Sequence, residues 1–373
     1  MLYLDWLRVF AMGCIFLFHN QRPYDFDDWH IKNAVLSHPS AGYVEFFNLW
    51  MMPLFFVLSS AALYYSLKSR TGSEFLRERF LRIAVPWLGL GMFVFGPLQV
   101  YLERLSHGDF SGSFIQFLPH YFDGLYGLGG DFAWMGLHLW FLMMLFFFIL
   151  IMLPLLLPRG REGRSLLSRV SPLLLRTPVL LSLFVPLALA ALLTNALGLQ
   201  ILRNFGSWDS FSYLLFFTYG YLLHSDQRVE DRVLQLRRTT LVLALVMTVV
   251  VGIMDETSSD WTYLTARAAC SWWWILAILG YGHARLNFTN GLVRRANEAV
   301  LPFYILHQPV IIVIAFFVVQ TGAPILVKYL LTAVSSFVVI VALYEYVVRP
   351  VGVLRFLFGM RPRPKNAPAA AGT

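Results

Sequence analysis

Hydrophobic residues run along this chain in long blocks separated by short polar stretches. Ten blocks stand out, at roughly 4–20, 42–67, 80–102, 134–157, 178–199, 208–224, 239–254, 262–282, 300–319 and 325–347. Most approach the ~20 residues an α-helix needs to cross a hydrocarbon layer about 30 Å thick. The pattern predicts an all-α polytopic membrane protein with about ten transmembrane helices. The blocks at 208–224 and 239–254 are short for a crossing and are the weakest members of the set.

The polar stretches alternate in charge. Segments 68–82, 158–177, 225–238, 283–299 and 349–373 carry 5, 5, 4, 3 and 5 Lys/Arg. Segments 20–41, 103–133, 200–207, 255–261 and 320–324 carry 2, 1, 1, 0 and 0. An odd or shifted span count would mix the two sets. By the positive-inside rule both termini are expected to be cytoplasmic. The other set is the acidic one, with Asp25, Asp27, Asp28, Asp109, Asp123, Asp131, Asp255, Glu256 and Asp260. Residues 1–350 read as one transmembrane domain. Residues 351–373, with Arg361-Pro362-Arg363-Pro364-Lys365 inside them, read as a disordered cytoplasmic tail.

Composition agrees with a membrane protein. The chain has 373 residues, of which 58% are hydrophobic and 13% charged, about half the charge of a soluble protein. The net charge of +8 resides in short loops with no basic, aromatic-interleaved stripe, so the expected partner is a lipid bilayer and not nucleic acid. Cys14 and Cys270 lie in apolar blocks and read as small buried residues, not as a disulfide or metal framework. Asp5 and Arg8 interrupt the first block, which argues against a cleavable signal. Loop 103–133, rich in Gly and aromatics, reads as a partly ordered cap over an outward opening.

Against this apolar background the ionisable residues of the first block stand out. Arg8 and His19 are eleven residues apart. On an α-helix that is about three turns, or roughly 16 Å, with both side chains near one face. Charge inside a bilayer is costly and usually marks a protein-lined cavity. A snorkelling Arg and a helix-end His remain the plain alternatives. With the N-terminus inside, Arg8 lies toward the cytoplasm and His19 toward the outside. An anionic donor could lodge its phosphates among cations on the inner side and reach a base near the outer side. Coenzyme A has that shape, and imidazole suits the base role.

Other blocks add candidates. Arg79 and Arg82 share a face at the entry of the third block, where guanidinium groups suit phosphate recognition and equally suit membrane anchoring. Ser59 has no nucleophile-elbow context, so the small residues 59–62 read as a close-packing site. His30, His138 and Trp140 are candidates for contacts with an acceptor on the outer side. His307 lies between Pro302 and Pro309 in the ninth block, where the freed carbonyls need partners. Glu45, Asp209, Arg267, Lys328 and Glu345 also lie in or beside blocks. A Lys328–Glu345 pair or an Arg267–Glu pair would explain several of them. No H-E-x-x-H, Cys/His cluster, Walker loop or dinucleotide fingerprint is present, so no metal site is expected.

The order and spacing of these motifs resemble the acyltransferase-3 family of integral membrane acyltransferases. The resemblance is carried by Asp5, Arg8 and His19, by Pro53-Leu54-Phe55-Phe56 leading to Ser59, by Arg79-x-x-Arg82 before Pro86, by Leu139-Trp140-Phe141-Leu142 and by Leu301 to His307. The string Asp28-Trp29-His30-Ile31-Lys32-Asn33 is similar to the glucan biosynthesis protein C subgroup, whose members are associated with adding succinyl groups to periplasmic glucans. One departure is Ser60, where the family commonly has Gly.

The resemblance implies ten or so spans in a bacterial inner membrane, a cytosolic acyl-CoA donor and an acceptor outside the cytoplasm. It puts the essential pair on Arg8 and His19. The expected function is O-acyl transfer from acetyl-CoA or succinyl-CoA to a hydroxyl of a saccharide or glycan, with no permanently bound cofactor. His19 is the expected general base, Asp5 orients Arg8, and Arg8, Arg79 and Arg82 hold the donor. The alternative is a proton-coupled transporter of an amphiphile or saccharide, although no internal repeat or matched pair of broken helices supports it. The sequence leaves a homodimer open.

Overall fold

The computed structural model describes residues 2–67, 71–159, 164–199, 206–254 and 261–361. Asp255, Glu256 and Asp260 of the acidic segments, and residues 362–373 of the expected tail, lie outside the described residues.

Each of the ten apolar blocks falls on a helix. These are α1 (Leu2–Gln21), α2 (His38–Leu67), α3 (Gly72–His107), α4 (Leu137–Leu156), α5 (Thr177–Ala196), α6 (Ser210–His224), α7 (Gln227–Ile253), α8 (Trp261–Arg285), α9 (Gly291–Val318) and α10 (Ile325–Val348). A short α11 (Gly352–Leu357) follows. Eight of them are long and apolar enough to cross a membrane; α6, with 15 residues, and α8 are not among the eight. The weak block at 239–254 is the second half of α7, which starts twelve residues earlier and has 27 residues. Its start is set by Asp226, whose carboxylate accepts from the Arg228 N–H at 3.0 Å, as an N-cap should. The β-structure among the described residues includes a two-residue ladder, Pro158–Arg159 with Arg164–Ser165. Helices α7 and α10 bury little of their apolar surface. On α10, Leu326, Leu330, Val334, Phe337 and Val341 are exposed. Such a stripe on a helix with its backbone satisfied internally suits lipid, and the chain is an integral membrane protein.

The chain divides into two compact units. The first comprises Met1–Asp27, Leu36–Leu76 and Met144–Asn297. In it α7 packs along α8, and α2 packs along α6. Small residues allow the second contact. A Cβ at Gly220 would run into the Ser60 hydroxyl and the Val57 backbone, so residue 220 must lack one. The extra atoms of Ser60 are accommodated by glycine on the facing helix, and the Ser60 hydroxyl donates to the Val57 carbonyl at 3.2 Å. The break inside α5, after Leu181, frees carbonyls that lipid cannot satisfy. Trp272 and Trp273 of α8 donate their indole N–H groups to the Leu180 and Leu181 carbonyls at 2.8 and 3.1 Å.

The second unit comprises Asp28–Val35, Arg77–Met143 and Glu298–Thr373. Its α3 is π-wound over Phe80–Ala84 and Pro86–Phe95. The 103–133 loop is ordered through its length. It folds a helical turn at Phe114–Phe117, started by a Ser113–Gln116 capping box. Phe117, Tyr121, Ala133, Leu137 and Val100 form its own small core. Residues 351–361 are ordered too. Arg355 of α11 is buried and donates to the Glu298 carboxylate at 3.4 Å and to the Arg361 carbonyl at 2.8 Å.

The suggested Lys328–Glu345 pair does not form; each residue has other partners. Lys328 donates to the Asn33 side chain and to the Val319 carbonyl, both at 2.8 Å. Glu345 pairs with Arg349 one turn on, at 2.6 Å. Arg267 donates to the Ser207 carbonyl at 2.5 Å and covers the Trp208 ring at 4.4 Å. At Lys328 a carbonyl and an amide stand in for a carboxylate, partners that sequence spacing does not reveal. Asp209 caps α6, accepting from the Ser212 N–H at 2.9 Å.

Candidate functional site

Helix α1 is uninterrupted from Leu2 to Gln21, so Arg8 and His19 keep the roughly 16 Å rise and the shared face that their spacing implies. Arg8 donates to Asp5 at 2.7 Å, and both side chains remain partly exposed. The His19 ring is half-buried and packs edge-on to Phe18, with 5.2 Å between centroids. Its Nδ1 lies 3.1 Å from the Ile15 carbonyl. A carbonyl only accepts, so Nδ1 carries a proton and Nε2 is the basic nitrogen of the neutral ring. This contact selects the tautomer with a bond inside the helix, and it aims the ring. The same unit holds a cluster that the sequence reading missed. Glu230 is buried and accepts from Tyr65 at 3.0 Å and Tyr3 at 3.3 Å. The Tyr3 hydroxyl also meets His224 Nε2 at 3.1 Å, and its ring stacks on His283 at 5.0 Å. Tyr3 and Glu230 are 227 residues apart, and no local spacing signals such a contact.

The second unit holds the other candidates. Arg82 donates from Nε to the Gly359 carbonyl at 3.0 Å and from Nη1 to Glu78 at 3.3 Å. Arg79 lies three residues earlier, where the α-helical turn ends and the π-winding starts.

His30 is buried in a polar chain. Its Nδ1 pairs with Glu103, and its Nε2 lies 3.1 Å from the Gln308 amide nitrogen. That nitrogen can only donate, so His30 accepts at Nε2 and donates from Nδ1 to the carboxylate. Gln308 also donates to Gln99 at 3.2 Å, and Gln99 donates back to the Phe95 carbonyl at 3.1 Å. Glu103 further accepts from Tyr126 at 2.8 Å, and Arg104 next to it donates to Asp131 of the loop at 2.7 Å. Burial, and after it the Glu103 carboxylate, raises the Tyr126 hydroxyl above its ordinary range. Burial pushes the Tyr121 hydroxyl up to about 12, and Tyr121 donates to the Met92 carbonyl at 2.5 Å. Both phenols therefore stay protonated donors that hold the 103–133 loop to α3. Gln99 and Gln308 were legible as polar residues in or beside apolar blocks; their partnership with His30 was not.

His138 and His307 come together, edge to face with centroids 5.2 Å apart, and both are buried. His138 Nε2 donates to the Ile305 carbonyl at 3.1 Å, and Tyr304 donates to the His138 carbonyl. His307 Nδ1 donates to the Tyr304 carbonyl at 2.5 Å. The residues between Pro302 and Pro309 thus supply carbonyls to imidazoles, as helix-interrupting prolines invite. His138 Nδ1 is the lone-pair nitrogen of its ring, and it is buried without a hydrogen-bond partner among the described residues. Trp140 follows as the first α-helical residue of α4 and is half-buried.

The unit of Asp5, Arg8 and His19 therefore offers a cation and an imidazole base on one helix face. The second unit offers two arginines at a π-wound turn, and three histidines whose donors are committed to protein acceptors.

The chain is 22% identical over 382 residues to glucans biosynthesis protein C of Salmonella paratyphi A, covering 99% of this chain and 97% of that protein. The proteins of that name from Salmonella agona and Salmonella typhi match to the same extent. No solved structure gives a significant match. The acyltransferase-3 family profile, described as an acyltransferase domain, matches residues 1–345, and the chain belongs to that family.

Proposed function

We propose that this acyltransferase moves a short acyl group, succinyl or acetyl, from cytosolic acyl-CoA to a hydroxyl of an extracytoplasmic saccharide such as a periplasmic glucan. Ten helices cross a bacterial inner membrane and both termini are cytoplasmic. The alternation of basic and acidic segments supports that topology. The names of the relatives support a glucan as acceptor.

The observation that carries the reading is the His19 tautomer. With Nδ1–H held by the Ile15 carbonyl at 3.1 Å, Nε2 is the nitrogen able to take a proton. The acceptor hydroxyl gives its proton to Nε2 while its oxygen attacks the thioester carbonyl carbon. The C–O bond forms, the C–S bond breaks, and the departing thiolate takes the proton from the imidazolium. The reaction is balanced without any further reactant. Asp5 orients Arg8 through the 2.7 Å pair. Arg8, Arg79 and Arg82 bind phosphate oxygens of the donor, a task that guanidinium geometry suits. His30, His138, Trp140 and His307 serve the acceptor, and the lone pair of His138 Nδ1 is the natural partner for a sugar hydroxyl.

The test is CoA release by the purified protein in lipid nanodiscs, with acetyl-CoA and succinyl-CoA offered separately, each with and without a β-glucan oligosaccharide. Glucan-dependent release with one donor supports the reading and identifies the acyl group. Absence of CoA binding and of release with both donors would overturn it.

A further inference from the structure

Arg82 sits where α3 is not α-helical. Pro86 has no N–H, so an α-pattern would leave the Arg82 carbonyl without the donor four residues on. The helix widens instead, with the Val85 N–H reaching the Phe80 carbonyl in the π pattern. Such π-turns are rare and concentrate at functional sites.

The segment after α10 closes against this turn. At the end of α11 the chain reaches Gly359, whose φ is +65°, a left-handed value that favours glycine. The Gly359 carbonyl accepts the Arg82 Nε–H bond at 3.0 Å. A Cβ on residue 359 would lie 2.5 Å from the Arg82 carbonyl oxygen and 2.9 Å from Leu301 Cδ2. One glycine thus meets Arg82 twice, at its side chain and at its backbone. The segment is anchored on both sides of that contact: Phe358 and Met360 are buried, and Arg355 binds Glu298 and the carbonyls of Arg349 and Arg361.

We propose that residues 352–360 form a hook that positions Arg82 for the donor, with Gly359 as the positioning residue. By holding Nε, the hook fixes the plane of the guanidinium and directs its two terminal nitrogens. The Arg82 side chain keeps 31% exposure, which leaves it reachable by a phosphate. The proposal rests on the reading of Arg82 as a donor-phosphate ligand.

The test is steady-state CoA release in nanodiscs with the acyl-CoA concentration varied. It compares wild type, Gly359→Ala, Arg82→Ala, the double variant and Gly198→Ala. Gly198 has a φ of +63° and nothing within 4 Å of an added Cβ, so it carries the backbone strain without the contact. Gly359→Ala is expected to raise KM for the donor about tenfold with kcat within about twofold, the sign of lost uniform binding. In the Arg82→Ala background the same substitution is expected to change nothing further. Gly198→Ala is expected to keep the wild-type KM. Arg355→Gln, which loosens the anchor, serves as a second variant and is expected to move KM in the same direction should Gly359→Ala fail to fold. If Arg82→Ala raises KM and Gly359→Ala or its substitute does not, the hook proposal falls and the donor reading stands. An effect of Gly359→Ala that persists undiminished in the Arg82→Ala background also overturns the hook. If Arg82→Ala leaves KM unchanged, the donor role of Arg82 falls and the hook falls with it.

Discussion

Two sites, one in each unit, use their histidines in opposite ways. In the first, Arg8 donates to Asp5 three residues earlier and His19 Nδ1 donates to the Ile15 carbonyl four residues earlier. Both stay partly exposed, and the basic nitrogen of His19 is not the one bonded to Ile15. In the second, His30, His138 and His307 are buried, at 8, 5 and 0% exposure, and their N–H groups go to protein acceptors. His30, Gln308, Gln99, Glu103 and Tyr126 hold one another across separate elements of the unit. A short-range bond costs little to form and aims a group while leaving it reactive. A long-range, buried bond fixes elements together and holds the group in place. The contrast supports the proposal that His19, and not the His30 network, transfers the proton.

Stability measurements can break that contrast. Glu103→Ala should have the largest effect. Removing one partner of a buried ion pair costs about 3–5 kcal/mol, and here it would also orphan His30 and Tyr126. Unfolding in detergent should show the loss, with Glu103→Gln losing less because it keeps an acceptor. A wild-type unfolding midpoint for Glu103→Ala would mean the network holds nothing. Gly220→Ala comes next. Overpacking of the α2–α6 contact should cost about 1–3 kcal/mol, and Ser60→Gly in the same chain should recover part of it, since Ser60 Oγ is among the atoms struck. No recovery would place the strain on the Val57 backbone instead. Asp5→Asn should have the smallest effect on stability. With Asp5 and Arg8 at 36 and 27% side-chain exposure, the pair contributes about 0–1 kcal/mol. A larger loss would make the pair structural and weaken the contrast between the two sites.

What the sequence revealed follows the same division. The hydrophobic blocks, the continuity of α1, the Arg8–His19 face and the close packing at residues 59–62 depend on local periodicity and side-chain size, and they were readable directly. The full length of α7 was hidden because its first half carries surface charge. The partner of Lys328 was misread because carbonyls and amides accept from cations as well as carboxylates do, and nothing in the spacing marks which will. The Tyr3–Glu230 and His30–Gln308 contacts join residues 227 and 278 positions apart, so only the fold brings them together. The hook was read as the start of a disordered tail because Arg and Pro dominate its neighbourhood, whereas burial of Phe358 and the left-handed Gly359 decide its path.

The central claim is that His19 moves the proton in acyl transfer. The direct measurement is glucan-dependent CoA release by His19→Ala beside wild type, in nanodiscs, at saturating donor and with matched insertion and donor binding. General-base catalysis contributes about 10²–10⁴-fold, so release should fall by that much while the donor still binds. Release at the wild-type rate by the inserted variant would contradict the account.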